Sequence, residues 1–316
     1  MSRRSKAEKK ARKNAATIND QYDESSRVLT DEEAHRNVSY ELPSFPSQVL
    51  ECFKVQMKRY TRQRVMWMCI ILLALIPVIY YALKFGNISL IKPTDVANIY
   101  MASLLCFGGV TIPLLSCIAC GTMLSQEFNE RTVYLSLPLP ISRLAFFVGK
   151  FLAGVVLIEG TIAAAYGISI IIAMSVTTTM YTTMLFESFI LALTFGFFCC
   201  SFSYALSTKL KRGSSMLPFI IIFIVLPAVG IAVTALSDIA FLEKICMYIP
   251  TFEMDMAISC LGNTLAISTS GIITSMFYGM LTMSYSDNNM AVAAVSVLLS
   301  LILLGLGYRV IKRRDM

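Results

Sequence analysis

Histidine occurs once in 316 residues, as His35, and that scarcity removes His-based catalytic triads and imidazole metal sites from the apolar bulk of the chain. No Gly-x-x-x-x-Gly-Lys-Ser/Thr sequence occurs either. Gly149-Lys150 is followed by Phe151 within an apolar run, where backbone amides cannot cradle phosphate. By that route the chain does not bind ATP, so any ATP-driven work falls to another polypeptide. Charged residues are sparse, 15% against 56% hydrophobic, which excludes an ordinary soluble domain. No apolar run alternates with the period of two that a membrane strand needs, so a bundle of helices is the expected spanning structure and the fold class is all-α.

Six apolar runs are long enough to cross a hydrocarbon core of about 30 Å, which takes about 20 helical residues. They cover about Met66 to Leu83, Ala97 to Leu124, Leu144 to Ser175, Met184 to Thr208, Leu217 to Leu236 and Met290 to Tyr308. Ahead of the first, Phe45 to Arg64 places Val49, Phe53, Met57 and Tyr60 at helical spacing, with Lys54, Lys58, Arg59 and Arg62 turned elsewhere. That pattern suits an N-terminal helix lying in the membrane interface. A cytoplasmic extension of the first span fits the same pattern.

Lys and Arg set the orientation. They cluster before the first span, between the second and third (Arg131, Arg143, Lys150), after the fourth (Lys209, Lys211, Arg212) and after the sixth (Arg309, Lys312, Arg313, Arg314), while the other side carries only Lys84, Lys92 and Lys244. The positive-inside bias predicts a multi-pass protein of the cell membrane with both termini cytoplasmic. It also accounts, with the N-terminal tail, for the net charge of +7, so nucleic acid is not called for.

Residues 1–45 form a basic and then acidic polar stretch that buries too little apolar surface to order, and a disordered cytoplasmic tail is expected there. The tail has no apolar core of a secretory signal. Its basic cluster can meet anionic membrane lipid, but only Tyr22 and Tyr40 offer the aromatic platforms that RNA binding uses. Residues 46–316 form the membrane domain. Within it, 237–289 reads as an external or re-entrant segment: from Met256 to Ser286 it is uncharged but rich in Gly, Ser and Thr, and it follows the acidic residues Asp238, Glu243, Glu253 and Asp255.

Chemistry within the spans is thin. Cys117 and Cys120 form a C-x-x-C in an apolar helix, without a basic partner, and read as packing groups; no metal site is expected. Cys246 and Cys260 share the external segment, where a disulfide is permitted. Glu159 lies about 14 Å along a helix from Lys150 and so near the bilayer midplane. It reads either as a polar element of a translocation path or as hydrogen-bonded glue between helices. Gly108, Gly109 and Pro113 in the second span, and Pro218 and Pro227 in the fifth, mark kinks.

The richest pattern is the charged interruption between the second and third spans, 125–143. Glu127 opens a helix next to Ser125, which suits a cap, and an acidic residue favours a helix N-terminus. Phe128, Thr132 and Leu135 share one face, and Pro138 with Pro140 ends the helix and turns the chain back to the membrane.

Glu127, Glu130-Arg131-Thr132, Leu135, Pro138, Pro140-Ile141-Ser142-Arg143 and Gly149-Lys150 resemble the motif of ABC-2 type transporter permeases, most of all the prokaryotic NosY-like branch. The resemblance covers about Phe45 to Arg314; many relatives carry Gly-Thr where this chain has Arg131-Thr132. It implies six spans and a coupling helix that docks on a separate ABC ATPase subunit, with Glu127, Phe128, Glu130, Arg131, Thr132, Leu135, Pro138, Ser142 and Arg143 as coupling residues. It further implies a homodimer that exports cargo, is not itself an enzyme, and carries no cofactor, ATP being bound by the partner. Two other readings remain open at this level: a non-transporting accessory or regulatory membrane protein of the same fold, and a proton-coupled carrier, which would need an acidic relay around Glu159.

Overall fold

The computed structural model describes residues 44–63, 108–124, 142–176, 180–209, 216–226, 253–261 and 289–313, with scattered positions at 67–105, 228, 248 and 250. Every regular element among them is helical. The tail at 1–43, most of the first span, residues 125–141 and most of 229–288 lie outside the described residues.

Helix α1 spans Phe45–Arg62, with Pro46 in its first turn, where the missing N–H costs nothing, and Arg59 and Arg62 in its last turn beside the free carbonyls. Helix α2 is Gly108–Cys120 and keeps Pro113 inside it. The long helices are α3, Arg143–Val176, and α4, Thr182–Ser207. Next come α5, Met216–Ile220, and a π-helical turn, Ile221–Val225, closed by the Leu226 amide on the Ile221 carbonyl. Short α6 is Glu253–Cys260, and α7 is Asn289–Arg313. Among the described residues three helices are long and apolar enough to cross a membrane: Arg143–Ser175, Thr182–Ser207 and Asn289–Arg313. They coincide with the third, fourth and sixth runs expected from sequence.

Helix α4 is the hub, packed against α2, α3, α6 and α7. Burial on several sides explains why its apolar residues form no single stripe. Between lipid-solvated helices there is little hydrophobic gain, so small contact residues, aromatic packing and hydrogen bonds must hold the bundle. The antiparallel pair α3 and α4 shows all three. Tyr204 donates to the Phe147 carbonyl at 2.9 Å, and its ring lies 4.8 Å from Phe147 and 5.4 Å from Phe151. At the other end Tyr166 Oη meets Ser188 Oγ at 2.9 Å. Between them α4 presents Gly196, where a Cβ would lie 2.6 Å from Ile162 Cδ1. Helices α4 and α7 run parallel, closest where a Cβ on Gly307 would sit 3.3 Å from Ala205 Cα.

The N-terminal helix expected over Phe45 to Arg64 is present as α1. Its buried stripe is Gln48, Cys52, Gln56 and Tyr60; Val49, Phe53 and Met57 flank it half-buried, and Leu50 and Val55 are exposed. The reason is the partner surface: α1 packs on the start of α3, where free backbone groups must be satisfied. The Gln48 side chain answers that need at Ser142, and an aliphatic one would not.

Candidate functional site

Two places stand out: the joint at the start of α3, where the described chain resumes after residues 125–141, and a pair of carboxyl groups within the bundle.

At the joint, Ser142 caps α3: its Oγ accepts the Ala145 amide at 3.2 Å. Its own N–H is donated to Gln48 Oε1 on α1 at 2.8 Å. About two turns along, Gly149 lets α1 lie directly on α3, since a Cβ there would be 2.7 Å from both the Val49 carbonyl oxygen and Cys52 Cβ. Lys150 follows, buried, with its Nζ 4.2 Å above the Phe146 ring. At the far end of α1, Tyr60 donates to the Ala119 carbonyl of α2 at 3.0 Å. Burial holds the Tyr60 phenol well above its ordinary pKa, so it stays a donor. Helix α1 is therefore bonded at both ends to the helices that flank 125–141: at Ser142, before α3, and at Ala119, in α2. Of the residues singled out from sequence, Ser142 and Arg143 stand at this joint, Arg143 exposed as the first residue of α3. Glu127, Phe128, Glu130, Arg131, Thr132, Leu135 and Pro138 lie outside the described residues.

Deep in the bundle, Glu159 on α3 turns inward. Its carboxyl oxygens are buried and have no hydrogen-bond partner among the described residues. The space they occupy exists because α4 has Gly196 opposite: a Cβ there would stand 3.1 Å from Glu159 Oε1.

On another side of α4 sits the second carboxyl, Glu253, which the sequence places in the acidic stretch of the external or re-entrant segment. Glu253 is wholly buried, at 0% exposure. Its Oε1 accepts from Thr194 of α4 at 2.7 Å and its Oε2 from Ser296 of α7 at 2.8 Å. Thus α6 is tucked against α4, and its first side chain ties α4 to α7. An acidic residue on a loop is solvated far more often than buried, so Glu253 alone carried no signal. The available hint was the pair of hydroxyls, Thr194 and Ser296, on apolar helices. Cys260, at the other end of α6, is a free thiol whose Sγ accepts the Asn289 amide at 3.1 Å; Cys246 lies outside the described residues.

This geometry offers a braced joint at the start of α3 and a bundle whose helices are tied together by buried polar contacts. In the comparison with known families, residues 51–316 match the model described as ABC-2 family transporter protein. No curated protein matches the chain.

Proposed function

The chain belongs to the ABC-2 transporter family, and from that premise we propose that it is the membrane half of an exporter driven by a separately encoded ATPase. As a member it is a multi-pass membrane permease subunit that works with an ABC ATPase. The finer reading is of the NosY-like, prokaryotic kind: a homodimer in the cell membrane with six spans per copy, cytoplasmic termini and a disordered tail at 1–45. Cargo would pass along the dimer interface, and the chain itself carries no cofactor.

The observation that carries the reading is the bond from the Ser142 amide to Gln48. It supports a lever: a push on residues 127–137 would reach Ser142, and through it both α3 and α1, as one braced unit. In that scheme Glu127, Phe128, Glu130, Arg131, Thr132, Leu135 and Pro138 form the coupling helix and its stop, and Ser142 with Arg143 passes the motion on. Glu159 is the element of the path nearest the midplane.

The test is assembly. Co-expression with an ABC ATPase encoded beside it should yield a detergent-stable complex of two copies of each, with ATP hydrolysis that depends on the permease. Recovery of the permease alone from every such co-expression would count against the reading.

A further inference from the structure

The parallel pair α4 and α7 leaves a groove of about 120 Å³ on its outer side, at the end where the Lys and Arg residues lie. Phe202 and Leu206 of α4 form one wall, and Leu303 and Val310 of α7 the other. Its floor is the close approach of Gly307 to Ala205, so the slot exists because small residues draw the helices together while larger neighbours splay. The mouth is cationic. Lys209 lines it and is exposed, and Arg313, also exposed, stands one helical turn beyond Val310 on the same face of α7. Among the described residues no carboxylate pairs with either cation.

We propose that this groove is a binding site for an anionic phospholipid, an acyl chain lying along the slot and the headgroup phosphate held by Lys209 and Arg313. An apolar slot facing hydrocarbon is filled by a lipid chain at no cost in hydration, whereas a free phosphate would gain nothing from its walls. Lys and Arg reach headgroup level by laying their stems along apolar surface. Basic clefts between spans select anionic headgroups over zwitterionic ones, at about 1 kcal/mol per cation near the surface. The proposal needs the chain to be in a membrane, but not the ATPase, the dimer or the direction of transport, so its failure would leave those readings standing.

The test uses the single tryptophan of the chain. With Trp67→Phe as background, Leu306→Trp places an indole at the groove, and Leu301→Trp places one on the opposite face of α7 as a control. Full-length protein is reconstituted with increasing fractions of brominated phosphatidylglycerol or brominated phosphatidylcholine, and quenching is read. At the groove, half-maximal quenching should need about thirtyfold less of the anionic lipid, the combined effect of two cations at the headgroup; the control should show no preference. Lys209→Gln with Arg313→Gln should bring the two lipids to parity while both still quench. Equal quenching at the groove with Lys209 and Arg313 intact would overturn the proposal, as would a preference that survives the double substitution. Loss of the preference on adding inorganic phosphate would make this a small-anion site and overturn it as well.

Discussion

Ser142 donates its backbone N–H to the side-chain oxygen of Gln48 at 2.8 Å, a bond between residues far apart in sequence that fastens α1 to the start of α3. The same Ser142 caps α3 through its hydroxyl, so one residue both begins the span and anchors it. Force that enters between α2 and α3 and travels toward α3 passes through this residue.

Breaking the brace has a measurable cost. Gln48→Leu leaves the Ser142 amide to water in place of its acceptor and should lower stability by about 0.5–1.5 kcal/mol. Gly149→Leu should be at least as harsh, because any side chain meets the Val49 carbonyl and Cys52 at once, and overpacking of this kind costs about 1–3 kcal/mol. Thermal unfolding in detergent reads both. Permease-dependent ATP hydrolysis should fall in Gln48→Leu even at temperatures where the fold is intact.

Glu253 joins three elements and should behave as a shared partner. Thr194→Val and Ser296→Ala each remove one hydrogen bond, worth about 0.6 kcal/mol and at most about 1.7 inside a membrane. Glu253→Ala removes both and strands two hydroxyls, so it should cost more than either. The triple substitution should cost no more than Glu253→Ala, the non-additivity expected of one network. Simple additivity in denaturation of the reconstituted protein would show the three groups to be independent.

The space for Glu159 comes from Gly196. Gly196→Ala should therefore destabilise the α3–α4 pair, since the added carbon meets Ile162 Cδ1 and Glu159 Oε1. Ile162→Val should recover part of that loss by withdrawing the closer atom. Glu159→Gln keeps the shape of the side chain and should leave stability within about 0.5 kcal/mol while reducing export, if the carboxyl belongs to the path. Unchanged export would remove it from that role.

Orientation is open to labelling at better positions than the acidic segment offers, because a reagent cannot reach the buried Glu253. Tyr181, exposed just before α4, and Lys312, exposed near the end of α7, lie at opposite ends of long apolar helices. In intact cells Tyr181→Cys should react with an impermeant thiol reagent, and Lys312→Cys only after permeabilisation. Labelling of both from one side would contradict the positive-inside reading.

The long helices were legible because length and apolarity are local properties: α3, α4 and α7 begin and end within a few residues of the runs at 144–175, 184–208 and 290–308, apart from the charged last turn of α7. The cap at Ser142 was legible only as part of a motif. What stayed hidden depends on partners distant in sequence. The spacing of Val49, Phe53, Met57 and Tyr60 correctly marked a helix, but which stripe is buried depends on the backbone groups of α3 that Gln48 serves. Glu253 looked like solvated charge, because its donors Thr194 and Ser296 lie on other helices and a short-range pattern cannot join them. Gly149 and Gly196 are spaces, and a space has no signature until the neighbour that fills it is known.

The central claim is that the segment from Glu127 to Leu137 is where the ATPase engages this permease. Single cysteines placed along Glu127, Arg131 and Leu135, each combined with cysteines on the partner ATPase, test it by disulfide trapping, alongside Glu127→Ala with Arg131→Ala as the functional counterpart. The account predicts cross-links from this segment and none from Tyr248, in the segment before α6. It also predicts that the double alanine variant still assembles and hydrolyses ATP but no longer moves cargo. Absence of any cross-link, together with wild-type behaviour of the double variant, would contradict it and bring the non-transporting accessory role to the front.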